Sequence, residues 1–439
     1  KTNTEESSMN NFNLKETEDM LNSKNRSDRL EAVRILRSKI NDGTIPAVPR
    51  KDECNNHVHS KYSFSPYSPS MIAWRAYLAG LDTCGIMDHE SVAGCLEFRE
   101  ACEILGIIPT IGFEIRLSMD NTEIKGKMLN NPEQPGIGYF PVHGIPLRSL
   151  DKVSEFLKPI RHARELRNRR MTSVINEIIS PYGMELDFDR DIIPLSNWNE
   201  NGSITERHIL FATAKAMLKE CKRGNQIIDF LKIDMDIPLQ EKAQAYLSDT
   251  ESPIYEYDLL NVLKGFFSEK MYIPTTLDET PDIRTAIPYL NSIGCIPTYT
   301  YLGDIRGVSV TGDKKSMKFE DDILDELFVC FNNCDMRAMS YAPTRNKPDQ
   351  IVRLRSLCKK YDMFEVSGED INQPRQGFIC SQRSEEDRVF FNDSTWALIG
   401  HETKAEKDLE DSIISDRIKA RYPERADRIR AYKEIALGH

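Results

Sequence analysis

The sequence lacks any uncharged apolar run near the roughly 18 residues that a membrane helix requires. Segment 1–25 is polar and acidic and contains no hydrophobic signal core, so we expect a cytoplasmic protein without a membrane partner. The sequence also has no Cys-x-x-Cys pair, and its ten cysteines are scattered, several of them within apolar runs. This pattern favours buried free thiols over a disulfide framework or a cysteine zinc site.

Positive charge is also scarce, because 58 lysines and arginines face 69 acidic residues and the net charge is −11. An extended nucleic-acid surface needs concentrated basic charge and is therefore not expected. A small phosphorylated substrate, a nucleotide or a short oligonucleotide end remains compatible, since a bound metal ion supplies local positive charge. Hydrophobic residues make up 40% of the chain, as in ordinary globular proteins, and the oligomeric state is not indicated.

The pattern of elements divides the chain into five segments. We predict a polar N-terminal extension at 1–50, the first part of a sheet domain at 51–148, a mostly helical insertion at 149–291, the second part of the sheet domain at 292–385, and a charged helical tail at 386–439. Apolar residues at three- and four-residue spacing predict a helix over 29–40 in the extension. The longest helix of the insertion is predicted over 150–179.

From Cys54 onward, short apolar runs end in a metal-capable side chain and are followed by a helix. Ser68 as N-cap, Pro69 in the first turn and Gly80 at the end predict the first of these helices. Strands alternating with helices predict an α/β fold with a parallel sheet. When such a sheet closes into a barrel, functional side chains gather at the C-terminal ends of the strands.

The metal-capable residues at these predicted strand ends form the candidate site. They are His57, His59, His89, Glu114, His143 and Asp370. His57 and His59 stand two residues apart on a strand, so both imidazoles point to the same side. Zinc and manganese favour imidazole and carboxylate ligands, and a catalytic site keeps one position for water. The combination predicts a metal-dependent hydrolase.

At these residues the sequence resembles the polymerase and histidinol phosphatase (PHP) superfamily. The resemblance is carried by HVHSKYSFSPYSP, IMDHESVAG, GFEI, YFPVHGI and SGEDIN, at 57–69, 86–94, 112–115, 139–145 and 367–372. In the insertion, ERHILFATA, preceded by RNRRM, is similar to the subfamily that hydrolyses nucleotide and oligonucleotide phosphates. The resemblance implies a distorted (β/α)7 TIM-like barrel with a helical insertion.

The resemblance also implies a ligand set. His57, His59, Glu114 and Asp370 would hold a first ion, Glu114 would bridge to a second ion shared with His143, and His89 with Asp370 would serve a third. The sequence departs from the family pattern at Phe64-Ser65, Tyr301 and Asn372, where stronger ligands are usual. We therefore expect one or two divalent ions, zinc, manganese or iron, rather than three.

Two further residues are candidates for catalysis. Arg345 follows a predicted strand and its planar guanidinium suits phosphate oxygens, the alternative being a solvated loop arginine. His208 faces the site from the insertion or is a packed helix histidine. Basic residues on the long insertion helix wall a phosphate pocket or, as the favoured alternative, form a solvated helix face; they are Arg161, Arg164, Arg167, Arg169 and Arg170. His162, His401 and His439 are expected at the surface.

The sequence thus predicts a metal-dependent phosphoesterase that hydrolyses a small phosphate ester, a nucleotide or a short oligonucleotide through metal-activated water. The alternative is a degenerate PHP barrel that binds a phosphorylated ligand or partner without turnover, as the replaced ligands suggest. A third possibility is another metal-dependent hydrolysis, such as that of an amide, because barrel folds support many reactions.

Overall fold

The structure is a computed structural model, and it describes residues 12–304, 319–341, 345–379 and 384–438. Its strands form a five-stranded sheet in the order β1-β2-β3-β4-β5 and a three-stranded sheet in the order β6-β7-β8. The strands are β1 Cys54–Val58, β2 Thr83–His89, β3 Ile108–Ser118, β4 Ile137–His143, β5 Ile296–Pro297, β6 Tyr299–Tyr301, β7 Ala338–Tyr341 and β8 Phe364–Ser367. The prediction for His439 falls outside the described residues.

Most strand pairs are parallel, but the prediction of a wholly parallel sheet is wrong for β4. This strand runs antiparallel to β3 on one side and to β5 on the other. A parallel neighbour needs a crossover, usually a helix, whereas the link between β3 and β4 at 119–136 consists of turns. The chain therefore returns along β3 in the opposite direction.

The two sheets meet at both of their edges. Val58 at the end of β1 forms a parallel bridge with Ile371 just beyond β8. On the same side, Asn56 Nδ2 donates to Ser367 O at 3.0 Å. At the other edge, β5 continues into β6 after a single residue, Thr298. The mixed α/β fold is confirmed, and the closure of the strands into one (β/α)7 barrel stays a prediction. We refer to the two sheets and the helices packed on them as the sheet body.

Helices surround both sheets and build the insertion. Among the described residues they are α1 Leu14–Met20, α2 Arg26–Asn41, α3 Pro69–Ala79, α4 Cys95–Leu105, α5 Leu150–Ile179, α6 Glu206–Glu220, α7 Asn225–Asp229, α8 Glu241–Ser248, α9 Tyr255–Met271, α10 Ile283–Ser292, α11 Glu320–Asn333, α12 Pro348–Lys360, α13 Glu385–Ala405, α14 Asp416–Arg421 and α15 Arg425–Leu437. None of the described helices is long and apolar enough to cross a lipid bilayer.

The first helix after β1 begins and ends as its sequence predicts. The side chain of Ser68 accepts a hydrogen bond from the backbone N–H of Met71, which satisfies one of the free donors of the first turn. Gly80 ends α3 with φ of 80°, a left-handed conformation that glycine adopts without steric cost. The helix contacts α4 and β2.

The N-terminal segment is part of the core rather than a loose extension. Leu30, Val33 and Leu36 of α2 are buried in the main hydrophobic cluster. Arg29 forms a buried ion pair with Glu97 of α4, which ties α2 to the sheet body. A buried pair of this kind is costly to break, because removal of one partner leaves the other charge in an apolar environment.

The insertion has its own hydrophobic core. The residues that form it lie mostly between 171 and 271, on helices α5 to α9, and are separate from the main cluster. One residue of the sheet body, Phe64, is a member of this second core. The predicted helix over 150–179 matches α5. The insertion is thus a helical unit into which the loop after β1 projects.

The C-terminal helix α13 lies beneath the sheets, and it corrects the prediction for His401. This histidine is fully buried rather than at the surface. Its Nε2 lies 2.8 Å from Gly144 O and 3.0 Å from Gly294 O, and its Nδ1 accepts from the backbone N–H of Ile413. Burial lowers the pKa of His401 to about 4, so the ring is neutral and structural. Sequence periodicity on this charged helix did not indicate its buried face.

Glu402 of α13 generates a prediction about pH. Its Oε1 accepts from Ile111 N at 3.0 Å, and burial raises the pKa of its carboxyl to about 8. In the unfolded chain the carboxyl loses its proton near its ordinary value of about 4.3, so the free energy of unfolding falls as pH rises between these values. Glu402→Gln should therefore raise the melting temperature at pH 8 and change it little at pH 4.5.

Thermal unfolding followed by circular dichroism at both pH values measures this difference. Glu386→Gln, at an exposed position on the same helix, is the matched control and should shift the melting temperature equally at both pH values. Equal shifts for Glu402→Gln at pH 4.5 and pH 8 would contradict the assignment of a proton to Glu402.

Candidate metal centre

Imidazole and carboxylate atoms from four parts of the sheet body converge in one place. His57 Nε2 and His59 Nε2 lie 3.2 Å apart. His59 Nε2 lies 3.2 Å from Asp370 Oδ1, and His57 Nε2 lies 3.9 Å from Glu114 Oε1. His89 Nδ1 lies 3.0 Å from Glu114 Oε2. All five side chains can therefore face a common volume of a few ångströms, well within the reach of metal bonds of about 2.0–2.2 Å.

These atoms form two overlapping groups suited to a cation. His57, His59 and Asp370 offer donor atoms within 4.8 Å of one another, and so do His59, His89 and Glu114. His59 belongs to both groups and lies between them. Three protein ligands with a remaining position for water are typical of catalytic zinc sites. The donor set fits one or two divalent ions.

His143 extends the cluster toward the interior. Its Nε2 is buried and has no hydrogen-bond partner among the described residues. Burial and, to a smaller extent, the neighbouring imidazole of His57 lower the pKa of His143 to about 3. The carboxylate of Glu114 acts in the opposite direction. A buried and unprotonated nitrogen without a donor facing it is costly unless another group uses its lone pair. A metal ion would satisfy it.

The six residues do not all stand at C-terminal strand ends, as the sequence pattern had predicted. His89 is the last residue of β2, but Glu114 lies in the middle of β3. His143 ends β4, which is antiparallel to its neighbours, and pairs with Ile296 of β5. Glu114 pairs in register with His89, so these two donors lie at the same level of the sheet although only His89 ends its strand.

The strand pairing holds the Asp370 loop against β1. The backbone N–H of His59 donates to Ile371 O at 2.8 Å, and Ile371 N donates to His57 O at 3.0 Å. Asn55 adds a further clamp, since its side chain donates to Glu369 O and accepts from Glu369 N. The carboxylate of Asp370 is thereby fixed beside the two histidines, although the residue is distant in sequence.

A polar network fixes the ring of His59. Asp88 accepts hydrogen bonds from the backbone N–H of Ser60, from the Ser60 hydroxyl and from the Ser63 hydroxyl. Ser63 Oγ in turn lies 3.3 Å from His59 Nδ1. Such outer contacts orient an imidazole and determine which nitrogen faces the ion. Nε2 of His59 is the nitrogen directed at Asp370.

The charges of the site are strongly coupled. Burial acts to raise the pKa of Glu114, but the adjacent imidazoles of His89, His57 and His59 lower it to about 2. Burial also acts to lower the pKa of His59, yet its hydrogen bond to Asp370 raises it above its ordinary value. For His57 burial dominates, and its pKa is lowered. The site thus contains a permanent carboxylate that attracts cations.

The three departures from the family pattern have separate structural explanations. Phe64 packs edge-on against the ring of His208 with a centroid distance of 5.0 Å, and it contacts Phe211 and Tyr257 of the insertion. The Tyr301 hydroxyl donates to the carboxylate of Asp321, away from the cluster of histidines. Asn372 remains close to the site, where its Nδ2 donates to Asp370 Oδ1 at 2.7 Å.

The two predicted catalytic residues have other contacts in the structure. His208 is buried in the first turn of α6, where its Nδ1 accepts from Thr205 N at 3.0 Å and closes a capping box. This geometry favours the packed-histidine alternative. Arg345 lies near Glu320 of α11 and acts to lower the pKa of that carboxyl. Catalytic roles for His208 and Arg345 stay predictions.

The basic cluster on α5 is not a solvated helix face at three of its five positions. Arg164 pairs with Glu90 and Glu206, and Arg167 pairs with Glu206 and Glu279. Arg161 is also buried and donates to the backbone carbonyl of Glu90. Arg169 and Arg170 are partly and fully exposed, respectively. The expectation of a solvated helix face was wrong at these three positions. Periodicity within α5 cannot show which carboxylates from other segments will lie beside it.

Sequence reasoning missed Arg207, which immediately precedes His208. Its Nη1 donates to Asn372 Oδ1 at 2.8 Å, and its charge acts on the pKa of Asp370. The motif ERHILFATA contains both residues, and successive residues of a helix face different directions. His208 packs against Phe64, whereas Arg207 contacts Asn372 beside the site.

The comparisons with known proteins agree with this geometry. The PHP domain model matches residues 55–220, which include five of the six donor residues. A solved structure of a proposed metal-dependent phosphoesterase from Bifidobacterium adolescentis is similar with a TM-score of 0.50 at 19% identity, covering 78% of this chain and 96% of that one. This likeness supports the fold.

A metal-free, sulfate-bound amidohydrolase from Chromobacterium violaceum is similar with a TM-score of 0.49 at 14% identity. That match covers 75% of this chain and 90% of the other chain. Among curated proteins, no significant match was found.

The geometry predicts that metal binding depends on Glu114 and His59. Glu114→Ala and His59→Ala should each lower the metal content measured by elemental analysis by at least one ion per chain. Addition of Mn²⁺ or Zn²⁺ should raise the melting temperature of the unmodified protein but not of these variants, because only a bound ion stabilises the folded state.

His162→Ala, at an exposed position of α5, is the control and should leave metal content unchanged. Circular dichroism should show that all three variants fold. Full metal content in Glu114→Ala would contradict the proposed ligand set.

Proposed function

We propose that this PHP-domain chain is a metal-dependent phosphoesterase that hydrolyses a small phosphate ester, a nucleotide or a short oligonucleotide. The observation that carries the proposal is the convergence of the imidazoles of His57 and His59 with the carboxylates of Glu114 and Asp370. Both donor types suit zinc, manganese or iron, of which we propose one or two ions. A guanidinium, that of Arg207, stands beside the same donors.

The residues of the chain have distinct tasks in this proposal. His57, His59, Glu114 and Asp370 would hold the first ion, and His143 with Glu114 would hold a second. A bound divalent ion supplies an activated water and a Lewis acid for the phosphoryl oxygens. The network of Asp88 and Ser63 keeps the ring of His59 in one orientation, which preserves the geometry through the reaction.

The site has an open side. The side chain of Asp370 is 59% exposed, whereas those of His57 and His59 are 5% and 1% exposed. A substrate would therefore enter past Asp370, between the sheet body and the insertion residue Arg207. The buried histidines exclude bulk water from the other side, which strengthens the electrostatic effect of the site on developing charge.

The second candidate is a site that binds a phosphorylated ligand or partner without turnover. The replacement of stronger ligands by Phe64, Tyr301 and Asn372 favours it, because these side chains contact His208, Asp321 and Arg207, respectively. Hydrolysis of an amide is the third candidate. Its substrate carries no phosphate, so it gives no role to an arginine beside the donors.

A substrate panel tests the proposal. The protein loaded separately with Mn²⁺, Zn²⁺ and Fe²⁺ should release inorganic phosphate from p-nitrophenyl phosphate or from nucleoside monophosphates or bisphosphates, or should release nucleotides from short oligonucleotides. Chelation should abolish the release and added metal should restore it, because the donor cluster has no other source of activated water.

His59→Ala should lose at least about a thousandfold in kcat/KM, roughly 4 kcal/mol of transition-state stabilisation. The exposed His162→Ala variant should retain full activity. If the protein binds metal tightly but hydrolyses none of these esters, the binding function would be the better assignment. If it hydrolyses only amides, the third candidate would be favoured.

A further inference from the structure

Arg207 differs from the three arginines of the nearby ion-pair network in having no carboxylate partner among the described residues. Arg116, Arg164 and Arg167 are each paired with glutamates at ion-pair distance. In the part of the chain that the structure describes, no carboxylate lies within ion-pair distance of the Arg207 guanidinium, and its hydrogen bond goes to the neutral amide of Asn372. An arginine stays protonated in proteins, so its charge is present and unneutralised.

The carboxylates of the adjacent network are paired with arginines other than Arg207. Glu206 accepts from both Arg164 and Arg167, and Glu90 and Glu279 complete the same network. Three glutamates thus balance the three arginines at positions 116, 164 and 167. The three glutamates do not pair with Arg207, whose positive charge lies beside the donor cluster rather than in the network.

The backbone of α6 holds Arg207 in position. Thr205 caps the helix together with His208, which fixes the first turn on both sides of the arginine. Phe64 contacts the ring of His208 and anchors that turn to the loop that follows His59. The side chain that replaces an expected ligand at 64 therefore docks the element that brings Arg207 to the site.

Asn372 links Arg207 to Asp370. Its Oδ1 accepts from Arg207 and its Nδ2 donates to Asp370 Oδ1, so both ends of the amide are engaged. The oxygen that could have bound an ion is directed to the guanidinium instead. Asn372 is thus a positioning residue for the arginine, and a neutral amide performs this task without cancelling its charge.

We propose that Arg207 is the specificity-determining residue of the site and that it binds the phosphate group of the substrate. The proposal rests on the proposed function and names the residue that selects phosphate esters. Nη1 of the guanidinium is held by Asn372, which leaves Nε and Nη2 to form the planar fork that matches two phosphate oxygens. A neutral ester or amide offers no pair of anionic oxygens to this fork.

The test measures binding of inorganic phosphate to the metal-loaded protein by calorimetry, together with metal content. Arg207→Ala should weaken phosphate binding by at least about tenfold, since it removes the charge-assisted hydrogen bonds of the guanidinium to the phosphate oxygens. Metal content should remain that of the unmodified protein. Arg207→Lys should recover only part of the affinity, because an ammonium cannot form the fork.

Asn372→Asp retains Arg207 and places a carboxylate beside it, and because the same side chain contacts Asp370, metal content is measured in this variant as well. A carboxylate at 372 would pair with the guanidinium and neutralise it, so phosphate binding should fall about as far as in Arg207→Ala. Arg190→Ala, an exposed arginine of the insertion paired with Asp191, is the matched control and should bind phosphate normally.

Unchanged phosphate affinity in Arg207→Ala would overturn the proposal, and so would a loss accompanied by equal loss of metal. These results are separate from a failure of the proposed function. Absence of turnover in the unmodified protein, with phosphate binding that still depends on Arg207, would leave the arginine assignment in place and remove only the hydrolysis.

Discussion

Buried charge must be balanced, and this constraint governs how the insertion sits on the sheet body. Arg116 comes from β3, Arg164 and Arg167 from α5, and their partners Glu90, Glu206 and Glu279 come from three other parts of the chain. Each of these charges would be costly in isolation, so the six groups stabilise one another only when all segments are in place. The network therefore determines the relative position of α5, α6 and the sheets.

The same constraint explains the chemistry of the site. The network pairs Glu90, Glu206 and Glu279 with other arginines, and in the described part of the chain no carboxylate forms an ion pair with Arg207. On the opposite side, Glu114 and Asp370 lie among the imidazoles of His57, His59 and His89 without an arginine or lysine at ion-pair distance among the described residues. One side of the site attracts cations and the other attracts anions, which is the arrangement that we propose for a phosphate ester held on a metal ion.

Two of the departures from the family pattern, Phe64 and Asn372, both contribute to the position of α6 beside the donors. Phe64 fills the insertion core instead of binding an ion, and Asn372 holds a guanidinium instead of binding an ion. Both substitutions thus favour the docking of α6 beside the donors. Tyr301 is different, since its hydroxyl is taken up by Asp321 and it makes no comparable contribution to the site.

The sequence by itself determined the elements whose cause is local. Ser68, Pro69 and Gly80 bound α3, apolar spacing predicted the helix over 29–40, and the motif of His57 and His59 with Glu114 indicated the donors. Only the tertiary structure decided the direction of β4, the burial of His401 and the pairing of Arg164 and Arg167. It also decided that Arg207, not its neighbour His208, lies at the site. Those outcomes depend on which charges and strands meet across long sequence separations, and local patterns carry no information about such partners.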